Sequence, residues 1–132
     1  SKLKKFNYWF EKTGCLHQSF LVSKNMDMVF REDIGRHNTV DKVIGAGLQL
    51  GINFSNALIY CSGRISSEMV LKTAKAGIPF VISRGAPTSF AIDIANELEL
   101  TLIGFARGRR LNVYSHPERV LFDQLKKESY AG

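Results

Sequence analysis

Three apolar runs, residues 57–61, 78–82 and 100–103, each end in a turn that carries glycine and arginine. The turns read Ser62-Gly63-Arg64-Ile65-Ser66, Ser83-Arg84-Gly85-Ala86-Pro87-Thr88 and Gly104-Phe105-Ala106-Arg107-Gly108-Arg109-Arg110. Short continuous apolar runs between turn signals suit strands buried on both faces, as in a parallel sheet. After the first two turns apolar residues recur at helical spacing: Met69, Val70 and Thr73, then Phe90, Ala91, Ile94, Ala95 and Leu98. Parallel neighbours need a crossover, and a helix is the usual one. The alternation therefore restricts the chain to an α/β fold.

The same patterns place the remaining elements. Met28-Val29-Phe30 is expected to be a strand running into the polar turn Arg31-Glu32-Asp33-Ile34-Gly35-Arg36-His37-Asn38. A helix follows with Val40, Val43, Ile44, Gly47 and Leu48 on one face, Asn38 or Thr39 as its N-cap and Gly51 as its stop. Residues 16–22 are helical or extended. The helix after Arg64 should cover residues 66–75 and end at Gly77, and Pro87 should occupy the first position of the next helix. A strand at residues 111–114 and a helix over 117–127 finish the chain, while residues 1–13, with Phe6, Tyr8, Trp9 and Phe10 among lysines, form a lead-in segment. At 132 residues the expectation is a single domain over residues 1–132: a three-layer arrangement with a mixed or parallel sheet and helices on both faces.

Charge adds a ligand class. Eighteen basic residues against 12 acidic give a formal charge of +6, which favours an anionic partner. Its arrangement says more than its size: Arg36, Arg64, Arg84, Arg107, Arg109 and Arg110 all fall in turns, whereas Lys72, Lys75, Lys126 and Lys127 read as solvated helix surface. Helix N-termini leave N–H groups unpaired and carry partial positive charge. Arginine adds a planar, permanently charged fork matched to phosphate or carboxylate. Three such turns at strand C-ends suggest one polyanionic ligand laid along the rim of a sheet. Gly63 lets backbone approach it, and Ser62, Ser66 and Ser67 offer hydroxyls. Neither the Walker order nor a dinucleotide fingerprint is present. The segment from Phe105 to Arg110 suits an anion clamp, a purine stack or a basic hairpin turn. It lacks the interleaved aromatics of a single-strand platform, so nucleic acid is the less favoured partner.

Glu32, Asp33, Arg36, His37 and Asn38 crowd two carboxylates, a guanidinium, an imidazole and an amide into seven residues. Such a cluster can hold a ligand, and its carboxylates can pair with the N–H edge of guanine. It is equally a capped helix start with a local ion pair. His37 is a candidate acid–base group, but neither a nucleophile nor a metal ligand stands at a recognisable spacing from it. Cys15 and Cys61 have no spaced zinc partner and make no disulfide framework, which favours a reducing cytoplasm, and Cys61 reads as a small core residue. No apolar run reaches the roughly 20 residues of a membrane span, and the first residues do not read as a secretory leader.

Taken together the motifs resemble the formate dehydrogenase accessory sulfurtransferases (FdhD). The stretches that carry the resemblance are Thr13-Gly14-Cys15-Leu16-His17, the cluster from Glu32 to Asn38 with Asp41-Lys42, and Ser62-Gly63-Arg64-Ile65-Ser66-Ser67-Glu68-Met69-Val70. Ser83-Arg84-Gly85-Ala86-Pro87-Thr88-Ser89, Gly104-Phe105-Ala106-Arg107-Gly108 and Asn112-Val113-Tyr114 continue it in the same order.

The resemblance implies a function. Such proteins take persulfide sulfur from a cysteine desulfurase and pass it to the molybdenum cofactor of formate dehydrogenase. They bind that cofactor in its nucleotide form, bis(molybdopterin guanine dinucleotide), through a domain like the cytidine deaminase fold, and they pair as homodimers. Here the cofactor-binding positions would be Phe105, Ala106, Arg107, Gly108, Arg109 and Arg110, with Ser62, Gly63, Arg64, Ser83, Arg84, Arg36, His37 and Asn38 beside them. The family carries sulfur on a Cys-x-x-Cys loop upstream of the Thr-Gly segment. This chain has no such pair and is expected to be the C-terminal part of a longer protein. The family has a small residue where Cys15 stands, so Cys15 is not the persulfide site, and no catalytic residue is assigned. The zinc-ligand motifs of true deaminases are absent, so neither zinc nor deamination is expected. A non-catalytic guanine-nucleotide-binding module and a nucleic-acid-binding regulator are the alternatives.

Overall fold

Burial alternates along His17–Ser23, with Ser19, Leu21 and Ser23 inward, so the segment that allowed two conformations is a strand, β1. The computed structural model describes residues 16–105 and 111–120. β2 (Met28–Asp33) pairs antiparallel with β1 and leads into α1 (Arg36–Gln49). A 3₁₀ turn at Phe54–Asn56 precedes β3 (Ala57–Cys61), followed by α2 (Ser67–Ala76), β4 (Phe80–Ser83) and α3 (Ser89–Glu97). β5 (Thr101–Phe105), β6 (Leu111–Ser115) and a 3₁₀ turn at Pro117–Arg119 complete the described elements.

The six strands form one sheet in the order β2-β1-β3-β4-β5-β6. β3, β4 and β5 run parallel at its centre, while β1 and β6 are antiparallel to their neighbours. The mixed α/β fold expected from the alternation is the fold observed. β2 and β3 both oppose β1, so they share a direction. The crossovers through α1, α2 and α3 then all step the same way across the sheet. Right-handed crossovers that step one way deliver their helices to one face, and α1 touches α2 while α2 touches α3. Beneath them Leu21, Ile59, Val81 and Leu102 stand in register across four strands, each at most 1% exposed. α1 lies close to this row: a methyl on Gly47 would stand 2.4 Å from Leu21 Cδ2 and 2.8 Å from Phe54 Cε1. The other face carries half-buried Phe20, Phe30 and Tyr60, with ring centroids 4.6 Å apart for Phe20–Phe30 and 5.9 Å for Phe20–Tyr60. The second helical layer of the expected three-layer arrangement is not among the described residues, and the likeness to cytidine deaminases is implied by the resemblance alone.

Several local expectations are corrected. The N-cap of α1 is Gly35, not Asn38 or Thr39. Asn38 and Thr39 instead sit inside the first turn, where Thr39 Oγ1 donates to the Arg36 carbonyl and Asn38 Nδ2 to Asp33 Oδ1. Pro87 precedes the cap of α3 rather than opening the helix, because the Thr88 hydroxyl accepts from Ala91 N–H at 3.1 Å and takes the cap position. Phe90 and Leu98 are 64% and 45% exposed rather than buried. α3 packs through the small stripe Ala91 and Ala95, both fully buried; Phe90 is rotated about 100° from that stripe, and Leu98 lies past the last turn. The expected final helix is a 3₁₀ turn as far as Arg119, and residues 121–127 lie outside the described residues.

Candidate functional site: a cationic rim at one sheet edge

Strand direction decides which turns meet. β2, β3, β4 and β5 all finish at the same edge, where the antiparallel strands β1 and β6 begin. Asp33, His17, Ser62, Arg84, Phe105 and Leu111 therefore mark one rim, and α1, α2 and α3 start from it. Arg36, His37 and Asn38 occupy the first turn of α1; Ser62, Gly63 and Arg64 form the β3–α2 turn; Ser83 closes β4 and Arg84 follows it. Phe105 is the last residue of β5. Ala106, Arg107, Gly108, Arg109 and Arg110 lie outside the described residues.

Close contacts tie the turns into a row. A methyl on Gly63 would meet His17 Nδ1 at 3.1 Å and Arg36 Cβ at 3.8 Å. One on Gly85 would meet Arg64 Cα at 3.5 Å, and one on Gly104 would meet the Gly85 carbonyl oxygen at 3.2 Å and Tyr114 Cε2 at 2.9 Å. The sequence from Arg36 through His17, Arg64 and Gly85 to Tyr114 is thus continuous. Arg64 and Arg84 are exposed along it. Backbone bonds reinforce it: Ser62 N–H donates to Gln18 O (2.9 Å), Arg84 N–H to Cys61 O (3.1 Å) and Thr88 N–H to Ile65 O (3.1 Å). The α2 and α3 N-termini are capped by Ser66 and Thr88, whose hydroxyls accept from Met69 and Ala91 N–H. The earlier amides of these turns face the rim side of the sheet with positive dipole ends.

At the β2 end, Asp33 is a local hub. Oδ1 accepts from Gly35 N–H (2.9 Å) and Asn38 Nδ2 (3.3 Å), and Oδ2 pairs with Lys42 Nζ at 2.6 Å. The Lys42 bond, then the Gly35 and Asn38 bonds, hold this carboxyl well below the usual range. Two polar atoms nearby are buried without a hydrogen bond among the described residues: Glu32 Oε2 and His37 Nδ1. His37 Nδ1 faces Glu68 Oε2 at 3.7 Å, close enough to feel its charge and too far to bond. Burial pushes the Tyr60 phenol up, and the Arg84 charge beside it works the other way.

Sequence reasoning missed His17, Tyr60 and Tyr114 as rim neighbours. Each arrives through strand pairing from outside the turns; His17, for example, stands across from Asp33 in the β1–β2 register. A cleft of about 280 Å³ does exist elsewhere, lined by Val22, Lys24, Leu58, Pro79 and Phe80 at the start of β3 and β4. It lies at the other end of the strands, with neither a guanidinium nor a helix N-terminus of the rim, so the features that favour an anion gather at the open rim and not in the cleft. Among the described residues no group of three or more His, Cys, Asp or Glu is placed to hold a metal, and no helix is long and apolar enough to cross a membrane.

Open α/β sheets receive ligands outside the carboxyl ends of their strands. By fold and charge this is an α/β domain with a cationic carboxyl-edge rim. The FdhD/NarQ family model matches residues 1–121, and the chain belongs to that family. It is 49% identical over 111 residues to the sulfur carrier protein FdhD of Bacillus subtilis, covering 84% of this chain and 42% of the relative. With that of Methanothermobacter thermautotrophicus it shares 47% over 109 residues, 83% of this chain and 44% of the relative. A crystal structure of a putative formate dehydrogenase accessory protein from Desulfotalea psychrophila superposes with a TM-score of 0.75 at 42% identity, over 85% of this chain and 50% of that one. The chain thus spans less than half the length of the curated relatives it matches.

Proposed function

We propose that this domain is the cofactor-receiving part of a sulfur-carrier accessory protein for formate dehydrogenase, and that its rim grips the guanine-nucleotide end of the molybdenum cofactor, bis(molybdopterin guanine dinucleotide), as cargo. The observation that carries this is the convergence of the Arg64 and Arg84 turns and three helix N-termini on one sheet edge, in a chain of the FdhD/NarQ family. Arg64 and Arg84 contact phosphate, with Arg107, Arg109 and Arg110 completing the clamp from the β5–β6 connection. Arg36, His37 and Asn38 line the guanine end. In the intact protein, a cysteine desulfurase supplies persulfide sulfur, formate dehydrogenase receives the sulfurated cofactor, and two copies work as a homodimer in the cytoplasm.

On this reading the domain binds the cargo, and its buried cysteine takes no part in thiol transfer. Cys61 is 2% exposed, and burial pushes its thiol up to about 12, so it is a core residue and not a sulfur carrier. This favours, as a second reading, a guanine-nucleotide-binding module whose partner segment performs the transfer; a persulfide-transfer assay on the full-length protein separates the two.

GDP titration tests the rim. A charge-assisted bond to phosphate is worth about 1.5–3 kcal/mol, so Arg64→Ala or Arg84→Ala should each weaken GDP binding by roughly 10- to 100-fold. An oligonucleotide should bind more weakly than GDP at moderate salt, and its affinity should fall steeply as salt rises. Unchanged GDP affinity in both Arg84→Ala and Arg107→Ala would overturn the assignment.

A further inference from the structure

We propose that Ser83 is a positioning residue that couples the two described arginine turns, so that Arg64 and Arg84 grip an anion as one unit; the proposal rests on the anion-receiving reading of the rim. Ser83 ends β4 with 0% exposure. Its hydroxyl donates to the Gly63 carbonyl at 2.7 Å and accepts from Gly85 N–H at 2.9 Å. A serine hydroxyl owns a single proton, and here that proton is committed to Gly63. With its proton engaged and no exposed surface, the side chain acts on a ligand only through the turns it joins.

The geometry of the joint suits that role. Gly63 precedes Arg64 and Gly85 follows Arg84, so the hydroxyl is anchored one residue from each guanidinium-bearing position. The two turns already touch, since a methyl on Gly85 would lie 3.5 Å from both Cα and N of Arg64. Arg84 N–H to Cys61 O and Thr88 N–H to Ile65 O bind their flanks. Between these flanks the Ser83 hydroxyl is the side-chain link. Deleting it leaves a carbonyl and an N–H unpaired in a half-buried place, which the Gly85 turn relieves by moving away from Gly63. The spacing of the two arginines then relaxes, and each binds phosphate independently.

A double-mutant cycle on the full-length protein, with GDP as probe, decides this. Arg64→Ala, Arg84→Ala and the double variant are titrated in the native background and again with Ser83→Ala. With Ser83 present the two arginine losses should deviate from additivity by at least about 3-fold in Kd; with Ser83→Ala the deviation should vanish, and GDP should bind about 5- to 10-fold more weakly. Ser83→Thr, which keeps the donor and acceptor, should restore the deviation, whereas Ser83→Cys should not. If Ser83→Ala does not fold, the Thr and Cys pair carries the comparison alone. Equal non-additivity with and without the hydroxyl overturns the coupling while leaving the rim intact. Failure of the unsubstituted protein to bind GDP sinks the rim itself, and the coupling with it.

Discussion

Lys42 Nζ lies 2.6 Å from Asp33 Oδ2, fastening the second turn of α1 to the last residue of β2. Gly35, the N-cap, has no side chain to accept from the first-turn amides; Asp33 Oδ1 instead holds the cap residue itself, accepting from Gly35 N–H at 2.9 Å. The helix start at the rim is therefore set from the preceding strand. Asp33 is held below the ordinary carboxylate range, so its contribution is present above the unfolded pKa, about 3.9, and is lost as pH falls through the folded one. Asp33→Asn should be less stable than the parent at pH 7 and should show a shallower loss between pH 5 and 2. Urea unfolding at several pH values measures both, and identical pH profiles for the two proteins would refute the assignment.

His116 responds in the opposite direction. Nε2 meets the Asn96 carbonyl at 2.9 Å and Nδ1 meets Glu118 Oε1 at 2.8 Å, so both ring nitrogens face acceptors. Only the imidazolium donates to both. The Asn96 carbonyl first, and Glu118 second, raise its pKa above the ordinary value. The stabilisation is complete below the unfolded pKa, about 6.5, and is lost as pH rises through the folded one. Glu118→Gln should lower the His116 pKa measured by NMR titration of the ring. A value unchanged by that substitution would mean the pair does not act on the ring.

Gly104 has no room for a side chain. A methyl there would press on the Gly85 carbonyl oxygen at 3.2 Å and on Tyr114 Cε2 at 2.9 Å. The carbonyl is backbone rather than the far end of a flexible side chain, so making room there means shifting the Gly85 turn. Gly104→Ala should cost about 1–3 kcal/mol, read as a lowered urea midpoint at constant m-value. It should also weaken GDP binding, since the displaced backbone is that of the Arg84 turn. A neutral effect on both would show that β5 can shift without disturbing its neighbours.

Cys61 should be chemically silent in the native state. With its thiol near 12, the thiolate fraction at pH 8 is about one part in ten thousand, and the side chain is 2% exposed. In a Cys15→Ser background, a thiol reagent should label the chain only as fast as it unfolds, accelerating with urea. Rapid stoichiometric labelling of the folded protein would contradict the burial.

The strand–turn–helix alternation, the turns at residues 62–66 and 83–88 and the stops at Gly51 and Gly77 were all legible along the chain. Apolar periodicity and turn chemistry act between neighbours a few residues apart, so a linear reading captures them. Phe90 shows where that reading fails: its spacing suits a buried face, but the Ala91–Ala95 stripe packs closer and leaves the ring outside. The family resemblance was legible for the same reason, since its motifs are short contiguous stretches, several of them the turns themselves.

Other features needed the sheet. That β1 and β6 run against the parallel centre, that His17 stands across from Asp33, and that one buried hydroxyl joins Gly63 to Gly85 all depend on pairings between distant segments. The sequence by itself determined which residues would sit at strand ends and carry charge there. That those ends would share an edge followed from reading the central strands as parallel. Tertiary structure alone decided that β1 and β6 begin at that edge and bring His17 to it, because strand direction and register are set by long-range pairing that no local pattern encodes.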